Sequence, residues 1–351
     1  MTDSGNNSTP TDGKAPTEHG FAGKMDTTDK IVVVGAHTIL GEMLIHHLEK
    51  NESVSEFWVI DLHAPTKTSL KKMHFIRLDL IAPGADAKLA EQFEKIGATV
   101  LVHCASKNNP SLNWVYAHEL EVIGTLNLTS AAKAVKLRKF VFCSSTVVYG
   151  ASAKNPNYIS ESHPLASRPG AHFVKDKVDA EKQVAKLYED APQMTVTVLR
   201  FCLILGPRSE NYFTELFRRS LVPTILGYDP LMQFIHERDA LEALKIAVFE
   251  DHRGPFNIVG KGIIPLSYAL RLSGKVQLPM LSFLAYPTVQ LLWNLQAVAV
   301  PGRLLDFFKF LWVAEGEKAK NLMKFEARLS SKEAFLEFAK ADRLERYSLA
   351  S

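Results

Sequence analysis

A glycine-containing segment near the start of the chain has the residue types that a phosphate-binding turn needs. The segment Gly35-Ala-His-Thr-Ile-Leu-Gly41 follows the apolar run Val32–Val34 and precedes residues with helical spacing. A glycine turn between a strand and a helix lets the backbone approach a pyrophosphate, whose charge the helix N-terminus stabilises. The residues that we expect to contact such a group are Gly35, Thr38, Ile39 and Gly41.

Two aspartates follow later apolar runs and extend this site. Asp61 ends the run FWVID, 26 residues after Gly35, and Asp79, next to Leu80, follows another run. A carboxylate at the end of the second strand can accept hydrogen bonds from the ribose hydroxyls and would repel a 2′-phosphate. The order of these features predicts a nicotinamide dinucleotide site that prefers NAD to NADP. The simpler interpretation, in which either aspartate only caps a loop, stays open.

These side chains require a scaffold of strands, and the sequence contains continuous apolar runs of strand length. The runs are Val32–Val34, Phe57–Ile60, Phe75–Leu78, Val100–Val102, Phe140–Phe142 and Val196–Leu199. Continuous runs indicate strands buried on both faces, and their alternation with helical patterns indicates a parallel sheet. We therefore predict an α/β fold with a Rossmann-like, doubly wound parallel sheet over residues 29–205.

Composition and charge argue against several other classes of protein. Hydrophobic residues make up 46% of the 351 residues and charged residues 23%, which is ordinary globular composition. The net charge is only +3 and no basic stripe is present, so we expect no nucleic-acid partner. Cys104, Cys143 and Cys202 are odd in number and widely spaced, which favours a reducing, cytoplasmic location. The histidines show no metal-ligand spacing, and we expect no metal.

The two ends of the chain differ from its central part. Residues 1–28 are rich in Ser, Thr, Gly, Asn and Pro and lack the apolar core of a secretory signal, which predicts a disordered tail. Residues 206–345 are interrupted by Pro207, Pro223 and Pro230 before helical patterns prevail. We predict a smaller, mostly helical and apolar substrate lobe there, with some of the chain returning to the first domain.

This lobe contains a long stretch without formal charge. Lys275 and Arg303 bracket 27 uncharged residues, a length that would allow a membrane span. Pro279 and Pro287 interrupt the stretch, and its amide side chains would be costly in lipid. For residues 276–313 we therefore place a buried or substrate-lining cap first, a peripheral contact with a membrane surface second, and a true span last.

A series of short motifs runs in order from about Lys30 to about Phe338. Gly35, Thr38 and Gly41 fall on Gly-x-x-Gly-x-x-Gly with threonine in the middle, and His103-Cys-Ala105 falls on His-x-Ala. The segments that follow are EVIGTLNLTSAAKAVKLRKFVFCSSTVVYG, ISESHPL, FIHERDALEA and GPFNIVG. In these motifs the chain resembles the extended short-chain dehydrogenase/reductases, also called NAD-dependent epimerase/dehydratases. The late segment EGEKAKNLMKFEARLSSKEAFLEF is most similar to the 3-beta-hydroxysteroid dehydrogenase branch.

The resemblance implies a particular chemistry and also a departure from it. In the family a tyrosine gives or takes a proton while a hydride moves to or from the nicotinamide, a lysine four residues later lowers the pKa of that tyrosine, and a Ser or Thr positions the substrate. By the resemblance, Ser145 and Lys177 fall on the Ser/Thr and Lys positions, and Ala105 lies in the nucleotide-binding part. Phe173 stands at the tyrosine position. Phenylalanine has no ionisable proton, so ordinary catalysis is in doubt.

No neighbouring residue is an obvious replacement for the tyrosine. Tyr149 and Tyr158 do not precede a lysine by one helical turn, and His172 is rotated by about 100° from Phe173 on a helix. Glu121 stands where the family has an asparagine, and Thr38 stands at a glycine position, which weakens the expected nucleotide site. The role of the lysine in binding the ribose does not depend on the tyrosine.

Three functional hypotheses follow. The first is an atypical NAD(H)-binding dehydrogenase or epimerase-like enzyme that acts on a hydroxyl or carbonyl group of a hydrophobic, sterol-like or lipid-linked substrate. The second is a catalytically inactive NAD(H)-binding regulator or scaffold, a pseudoenzyme. The third is a sugar-nucleotide epimerase or dehydratase, whose second diphosphate could be bound by Arg200, Arg208, Arg218 and Arg219.

The expected partners follow from the same observations. The main partner is a small hydrophobic molecule, and residues 276–313 add the prediction of peripheral membrane association. The resemblance further implies a homodimer that pairs through the helices near Gly124–Val135 and Phe173–Leu187.

Overall fold

The chain alternates between strands and helices through most of its length. The computed structural model describes residues 29–65 and 70–350, and the predicted tail of residues 1–28 lies outside them. The helices are α1 (Ile39–Lys50), α2 (Ala85–Ile96), α3 (Trp114–His118), α4 (Gly124–Ala134), α5 (His172–Asp190), α6 (Tyr212–Arg218), α7 (Glu237–Phe249), α8 (Leu266–Leu272), α9 (Ser282–Asn294), α10 (Glu317–Leu322) and α11 (Ser331–Ala350). A π-helical turn, Glu119–Ile123, joins α3 to α4, and two 3₁₀ segments are Thr146–Tyr149 and Gly302–Phe308.

The strands belong to one large sheet and three small ones. They are β1 (Ile31–Val34), β2 (Phe57–Asp61), β3 (Met73–Arg77), β4 (Val100–His103), β5 (Lys139–Ser145), β6 (Thr195–Phe201), β7 (Leu203–Leu205), β8 (Leu221–Ile225), β9 (Leu231–Met232), β10 (Phe234–His236), β11 (Gly254–Ile258), β12 (Ile264–Pro265) and β13 (Val276–Met280). Within the described ranges, the large sheet has seven parallel strands in the order β11-β6-β5-β4-β1-β2-β3. The predicted doubly wound parallel sheet is confirmed.

Helices cover both faces of this sheet, which explains why its central strands are continuous apolar runs. On one face, Leu44 of α1 packs in the same core as Ala243 of α7. On the other face, Phe93 of α2, Leu128 of α4 and Val184 of α5 form a second core. Because side chains on both sides of the central strands are buried, alternation between polar and apolar residues is absent there.

The chain after residue 205 builds a second lobe and also completes the sheet. Helix α7 packs on α1, and β11 adds the seventh strand beside β6. The core of the lobe is aromatic and contains Phe213, Phe217, Phe234, Phe308 and Phe335. The lobe is less purely helical than expected, because the pairs β7 with β10, β8 with β13 and β9 with β12 form small sheets within or beside it.

The uncharged stretch divides into two parts with different environments, and the predicted roles of residues 276–313 as a buried or substrate-lining cap or as a membrane contact stay predictions. The 3₁₀ segment Gly302–Phe308 is largely buried, whereas β13 and α9 carry several exposed apolar side chains. Pro279 lies within β13 and Pro287 within α9, and each removes one backbone N–H donor from its element. Across the part of the chain that the structure describes, no helix has the length and apolar character needed to cross a bilayer.

Candidate functional site

The candidate site lies at the carboxyl edge of the sheet, where the strand order reverses between β1 and β4. Gly35 follows β1 with a φ of +95°, a conformation that favours glycine. A Cβ atom on Gly35 would lie 2.3 Å from the backbone nitrogen of Ala105, which follows β4. A glycine is therefore required where these two loops meet. In open α/β sheets this reversal point is where ligands bind.

Thr38 has a structural role in the turn that its sequence position did not reveal. Its hydroxyl accepts a hydrogen bond from the backbone N–H of Gly41 at 3.1 Å and donates one to the carbonyl of Gly35 at 3.0 Å. Thr38 is thus the N-cap of α1, and Ile39 begins the helix. A Cβ atom on Gly41 would lie only 2.0 Å from the Gly35 oxygen. The threonine replaces a glycine without opening the turn, because it supplies the helix cap.

The two predicted aspartates both bond to backbone amides. Asp61 accepts a hydrogen bond from the Ala36 N–H at 2.9 Å and another from its neighbouring residue, which holds its carboxylate beside the glycine turn. Asp79 accepts one from the Ile81 N–H at 3.1 Å, and Leu80 is buried against Gly124. The loop-capping interpretation therefore holds for both aspartates. A carboxylate has further acceptor capacity, so the capping bonds are compatible with ligand binding.

A cavity of about 110 Å³, here the central cleft, brings the predicted catalytic positions together. The cleft is lined by Thr38, Ile39, Leu40, Cys104, Ser106, Asn108, Glu121, Phe142, Cys143, Ser144, Ser145, Val147, Phe173, Lys177, Phe201, Cys202, Leu203, Ile204, Ser209, Glu210, Asn211 and Tyr212. Asp61 and Asp79 lie outside this lining, nearer the sheet edge formed by β2 and β3.

Lys177 is held by a carboxylate and a hydroxyl. Its ammonium nitrogen lies 3.2 Å from Glu121 Oε1 and donates to Ser106 Oγ at 2.6 Å. Glu121 also accepts hydrogen bonds from the Ser106 hydroxyl and from the N–H of Lys107. Lys177 and Glu121 are both buried, and the Phe173 ring centroid is 4.9 Å from the ammonium nitrogen. The ribose-binding role expected for Lys177 would have to share this ammonium with Glu121.

The three residues considered as replacements for the tyrosine, Tyr149, Tyr158 and His172, have other environments. The Tyr149 hydroxyl is buried between the Arg200 guanidinium at 2.6 Å and Asn257 Oδ1 at 2.7 Å, and burial raises the pKa of Tyr149 to about 12. Tyr158 is half-exposed in a loop. His172 stacks on Trp114 with ring centroids 5.2 Å apart.

Sequence reasoning missed several residues of the cleft, among them Ser106, which bonds to Lys177, and Tyr212. The Tyr212 ring lies edge-on to that of Phe173 with centroids 5.5 Å apart. Its hydroxyl is buried with no hydrogen-bond partner among the described residues, and burial raises the pKa of Tyr212. No motif marks this position, because only the packing of the second-lobe core, to which Tyr212 belongs, brings it beside Phe173.

A second buried ion pair supports the floor of the cleft. The Arg200 guanidinium donates to Glu181 at 2.5 Å, and the hydroxyl of Ser144 donates to the same carboxylate. Ser145, the next residue, lines the cleft and accepts a long hydrogen bond from the Val147 N–H at 3.4 Å. The Ser144 hydroxyl is thus bonded to the Glu181 carboxylate, whereas the role of Ser145 in positioning a ligand stays a prediction.

His103 lies beneath the cleft, and its hydrogen bonds define which ring nitrogen carries the proton in the neutral imidazole. The Thr125 hydroxyl donates to the Glu121 carbonyl at 2.6 Å, so the hydrogen bond of 3.0 Å between His103 and Thr125 is donated by His103 Nε2. His103 Nδ1 is then unprotonated, and it has no hydrogen-bond partner among the described residues. Burial lowers the pKa of His103 to about 4.

Two thiols line the same cleft from neighbouring strand ends. Cys104 Sγ and Cys143 Sγ are 3.5 Å apart, and both cysteines are free. The contact with Cys104, together with burial, raises the pKa of Cys143 well above its usual value, which keeps this thiol protonated. Within residues 29–65 and 70–350, no group of three or more His, Cys, Asp or Glu side chains is arranged to hold a metal ion.

A second cavity of about 370 Å³, here the side cavity, adjoins the central cleft and shares Glu121 and Phe173 with it. Its remaining lining comes from the 107–117 loop, the start of α5, and the α9 region, namely Lys107, Asn109, Pro110, Ser111, Leu112, Trp114, Ala117, Gly170, Ala171, His172, Asp176, Gln290, Trp293, Asn294, Pro301 and Leu304. The side cavity thus lies between the sheet domain and the second lobe. Its walls combine aromatic and aliphatic side chains with amide, carboxyl, hydroxyl, histidine and lysine groups.

Comparison with known proteins identifies the family. A model of the NAD dependent epimerase/dehydratase family matches residues 31–259, which is more than half of the chain. This chain belongs to that family. The predicted family resemblance is therefore confirmed at the level of the epimerase/dehydratase superfamily.

Individual members of the family match most or part of the chain. An uncharacterized protein of Mycobacterium tuberculosis is 33% identical over 257 residues, which cover 72% of this chain and 68% of that protein. The N-acetyl-alpha-D-glucosaminyl-diphospho-ditrans,octacis-undecaprenol 4-epimerase of Escherichia coli O157:H7 is 24% identical over 194 residues, or 54% of each chain. The solved structure of dTDP-glucose 4,6-dehydratase from Bacillus anthracis, in complex with NAD, has a TM-score of 0.68 and 16% identity over 91% of this chain and 98% of that chain. This last likeness shows the fold alone.

Proposed function

We propose that this family member binds NAD(H) and a hydrophobic ligand with a hydroxyl or carbonyl group, and that it does so without the tyrosine-dependent proton transfer of the family. The observation that carries this proposal is the contact set of Lys177. Its ammonium is neutralised by Glu121 and bonded to Ser106, and its remaining close neighbour is the Phe173 ring. This geometry favours an NAD(H)-binding regulator or scaffold over an ordinary dehydrogenase.

Nucleotide binding is supported by the turn after β1. Gly35 and Gly41 have no space for a Cβ atom, and the Thr38 cap leaves the start of α1 regular. The first amides of α1 and its dipole suit a pyrophosphate, which fits the sequence prediction. NAD rather than NADP is expected because the Asp61 carboxylate is fixed beside this turn, where it would repel a 2′-phosphate.

Among the described residues that line the cleft, no tyrosine stands one helical turn before Lys177, and the acids present are Glu121, which bonds to Ser106 and Lys177, and the exposed Glu210. Bound NAD(H) would supply or take up a hydride at the ligand carbon. On reduction the carbonyl oxygen would need a proton from the protein, and on oxidation the alcohol would have to give its proton to the protein. The contact with Cys104 together with burial raises the pKa of Cys143, and burial raises the pKa of Tyr212, so both groups hold their protons tightly. Ser145 can orient a ligand oxygen, and we expect it to do so without driving the transfer.

The ligand is proposed to be hydrophobic because three of the arginines considered for a second diphosphate are already paired. Arg200 pairs with Glu181, Arg208 with Glu237, and Arg218 with Asp342. The sugar-nucleotide alternative therefore loses most of its predicted cations. The relative from Escherichia coli O157:H7 has a name that describes a sugar joined through a diphosphate to a lipid, and only the lipid part of that substrate supports a hydrophobic ligand for this chain.

Calorimetric titration with NADH and NADPH tests the nucleotide site. We expect the wild type to bind NADH more tightly than NADPH, and Asp61→Ala to weaken NADH binding by about tenfold because the ribose hydroxyls lose an acceptor. Glu91→Ala removes the same charge from the exposed side of α2 and serves as the control. A folded wild type that binds neither nucleotide would refute the proposal.

Restoring the family residues tests the missing proton transfer. We expect Phe173→Tyr alone to give little activity, because Glu121 still engages Lys177. Phe173→Tyr with Glu121→Asn should raise NADH-dependent reduction of a ketosteroid or an isoprenoid aldehyde by about a hundredfold or more. Oxidation of NADH is followed by its absorbance, with UDP-glucose conversion as the sugar-nucleotide comparison. Substantial turnover by the wild type would instead establish the dehydrogenase hypothesis.

A further inference from the structure

The outer face of β13 and α9 is exposed and apolar. It is formed by Leu278, Leu281, Phe283, Leu284, Leu291 and Leu295, and is called here the α9 face. These side chains are between 42% and 72% exposed. We propose that the α9 face docks on the surface of an anionic lipid bilayer, with α9 lying in the plane of the membrane.

The α9 face is not an ordinary protein surface. The inner side of α9 buries Ala285 and Val289 against the 3₁₀ segment Gly302–Phe308, so the helix already has a packed apolar side. A surface helix normally presents charged residues on its outer side, and α9 presents leucine and phenylalanine there instead. An exposed apolar patch of this kind marks a surface that is covered by something other than water.

The charges around the α9 face are mainly positive. Arg219 directly precedes Ser220, whose carbonyl accepts a hydrogen bond from the N–H of Val276 at the start of β13. Arg303 directly follows Gly302, whose N–H donates to the side chain of Gln290 on α9. Lys309 lies 4.7 Å from the ring of Tyr228, which follows the point where Leu226 bonds to Met280, at the opposite end of β13 from Val276. Arg219 and Arg303 are exposed and Lys309 is half-buried.

Acidic groups are scarcer in this region. Asp229 is exposed and accepts hydrogen bonds from Ser267, while Asp306, the single acid of residues 276–313, is buried and bonded to Arg168 and Tyr286. The rim therefore complements the negative headgroups of an anionic leaflet, where each added cation strengthens binding. The half-exposed ring of Tyr228 suits the interfacial layer of a bilayer.

The same charges disfavour a second copy of the chain as the occupant. In a two-fold symmetric contact each patch meets itself, so the three rim cations would face the same three cations of the partner. A planar surface of negative charge has no such conflict. The combination of an uncharged centre and a cationic rim is typical of helices that lie in a membrane interface.

Helix α9 also connects the α9 face with the side cavity. Gln290, Trp293 and Asn294 line that cavity, while Leu291 and Leu295 belong to the exposed face. A ligand dissolved in the bilayer would thus enter beside the docked helix without crossing water. This last step rests on the proposed function, whereas the docking itself does not.

Flotation with lipid vesicles tests the docking. The full chain is mixed, without nucleotide, with vesicles of phosphatidylcholine alone or of equal amounts of phosphatidylcholine and phosphatidylglycerol. We expect the wild type to bind the anionic vesicles and added salt to weaken that binding. Leu284→Glu should bind at least about tenfold more weakly, since transfer into lipid is favourable for a leucine side chain and costly for a carboxylate. Arg303→Gln with Lys309→Gln should reduce binding to anionic vesicles alone.

The control variant is Leu322→Glu, which places the same charge on α10 at an equal exposure of 50%. It should float like the wild type, and thermal melts should show that both variants are folded. Failure of the wild type to float with anionic vesicles, or equal flotation of Leu284→Glu, overturns the proposal. If the wild type binds no vesicles but is a dimer, and Leu284→Glu makes it a monomer, a second copy of the chain covers the face. NADH titration of the same samples separates these outcomes from failure of the proposed nucleotide site.

Discussion

At the scale of single residues, the replacement of a tyrosine by Phe173 is accompanied by a second change at Glu121. A buried lysine needs a partner for its charge, because an unpaired ammonium in the interior is costly. Glu121 supplies that partner at 3.2 Å, and Phe173 adds a ring face to the ammonium environment. The two departures from the family pattern therefore act together and stabilise Lys177 in a position where tyrosine chemistry is absent.

His103 gives a prediction about pH. Its pKa is lowered to about 4 in the folded protein, from an ordinary value of 6.5, because burial disfavours the charged ring. Between these values the unfolded chain binds the proton more strongly, so the free energy of unfolding should fall as the pH decreases from 6.5 to 4. Between a pH above 6.5 and a pH below 4, this residue should lower the free energy of unfolding by about 3 kcal/mol in total.

Urea unfolding at several pH values measures this effect. His103→Gln keeps a donor toward Thr125 and should lose most of the pH dependence that belongs to residue 103. His63→Gln, at an exposed position, should behave like the wild type. An unchanged pH profile in His103→Gln would contradict the assignment of a neutral, buried ring.

At the scale of elements, the start of α1 combines stability and binding in neighbouring residues. Thr38 caps the helix through the Gly41 N–H, and Gly41 packs against the Gly35 carbonyl. The threonine hydroxyl is occupied by these internal hydrogen bonds, whereas Gly35 and Gly41 lack the Cβ atom that would collide with neighbouring backbone. The two kinds of residue should therefore respond differently to substitution by alanine.

We expect Thr38→Ala to lower the free energy of unfolding by about 1 kcal/mol, the usual value for a lost N-cap, with NADH affinity little changed. Gly41→Ala should lower stability more and also weaken NADH binding, because its Cβ would displace the Gly35 carbonyl. Denaturant unfolding and calorimetry measure the two quantities on the same samples. Strong loss of NADH binding in Thr38→Ala would show that the hydroxyl contacts the nucleotide.

Helix α9 shows the limit of pattern reading at this scale. The uncharged stretch indicated burial, since apolar residues are usually inside proteins. In the structure the 3₁₀ segment Gly302–Phe308 takes the interior position, and α9 packs outside it. Composition could not distinguish these two parts because both are uncharged and apolar.

At the scale of the whole molecule, the predicted homodimer remains to be tested. Helices α4 and α5 pack side by side, linked by an ion pair of 2.8 Å between Lys133 and Asp190. Ile123 and Leu126 are more than one-third exposed beside them. A pairing of these helices with those of a second copy would cover both side chains.

We expect Leu126→Glu to convert a dimer into a monomer in sedimentation experiments, because a carboxylate would be buried without a partner. Leu336→Glu introduces the same charge at an equal exposure of 38% on α11 and should leave the dimer intact. A wild type that sediments as a monomer at micromolar concentrations would rule out this interface.

The sequence by itself determined the sheet, the glycine turn and the absence of a tyrosine at position 173. Strand and helix patterns are local, so apolar runs and glycine positions are legible without a structure. They predicted the seven-stranded core except for β11, whose segment GPFNI lies far along the chain and pairs with β6 across the intervening second-lobe elements and α7. Local patterns cannot specify such a long-range return.

Tertiary structure alone decided the partners of the charged and aromatic side chains. Lys177 and Glu121 are separated by 56 residues, and the pairing of Arg200 with Glu181, the placement of Tyr212 beside Phe173 and the exposure of α9 are equally invisible in the sequence. Side-chain partners depend on how elements pack in three dimensions, whereas residue type fixes only what a side chain is able to do. For this protein the sequence specified the parts of a dinucleotide site, and packing decided which of those parts are available to a ligand.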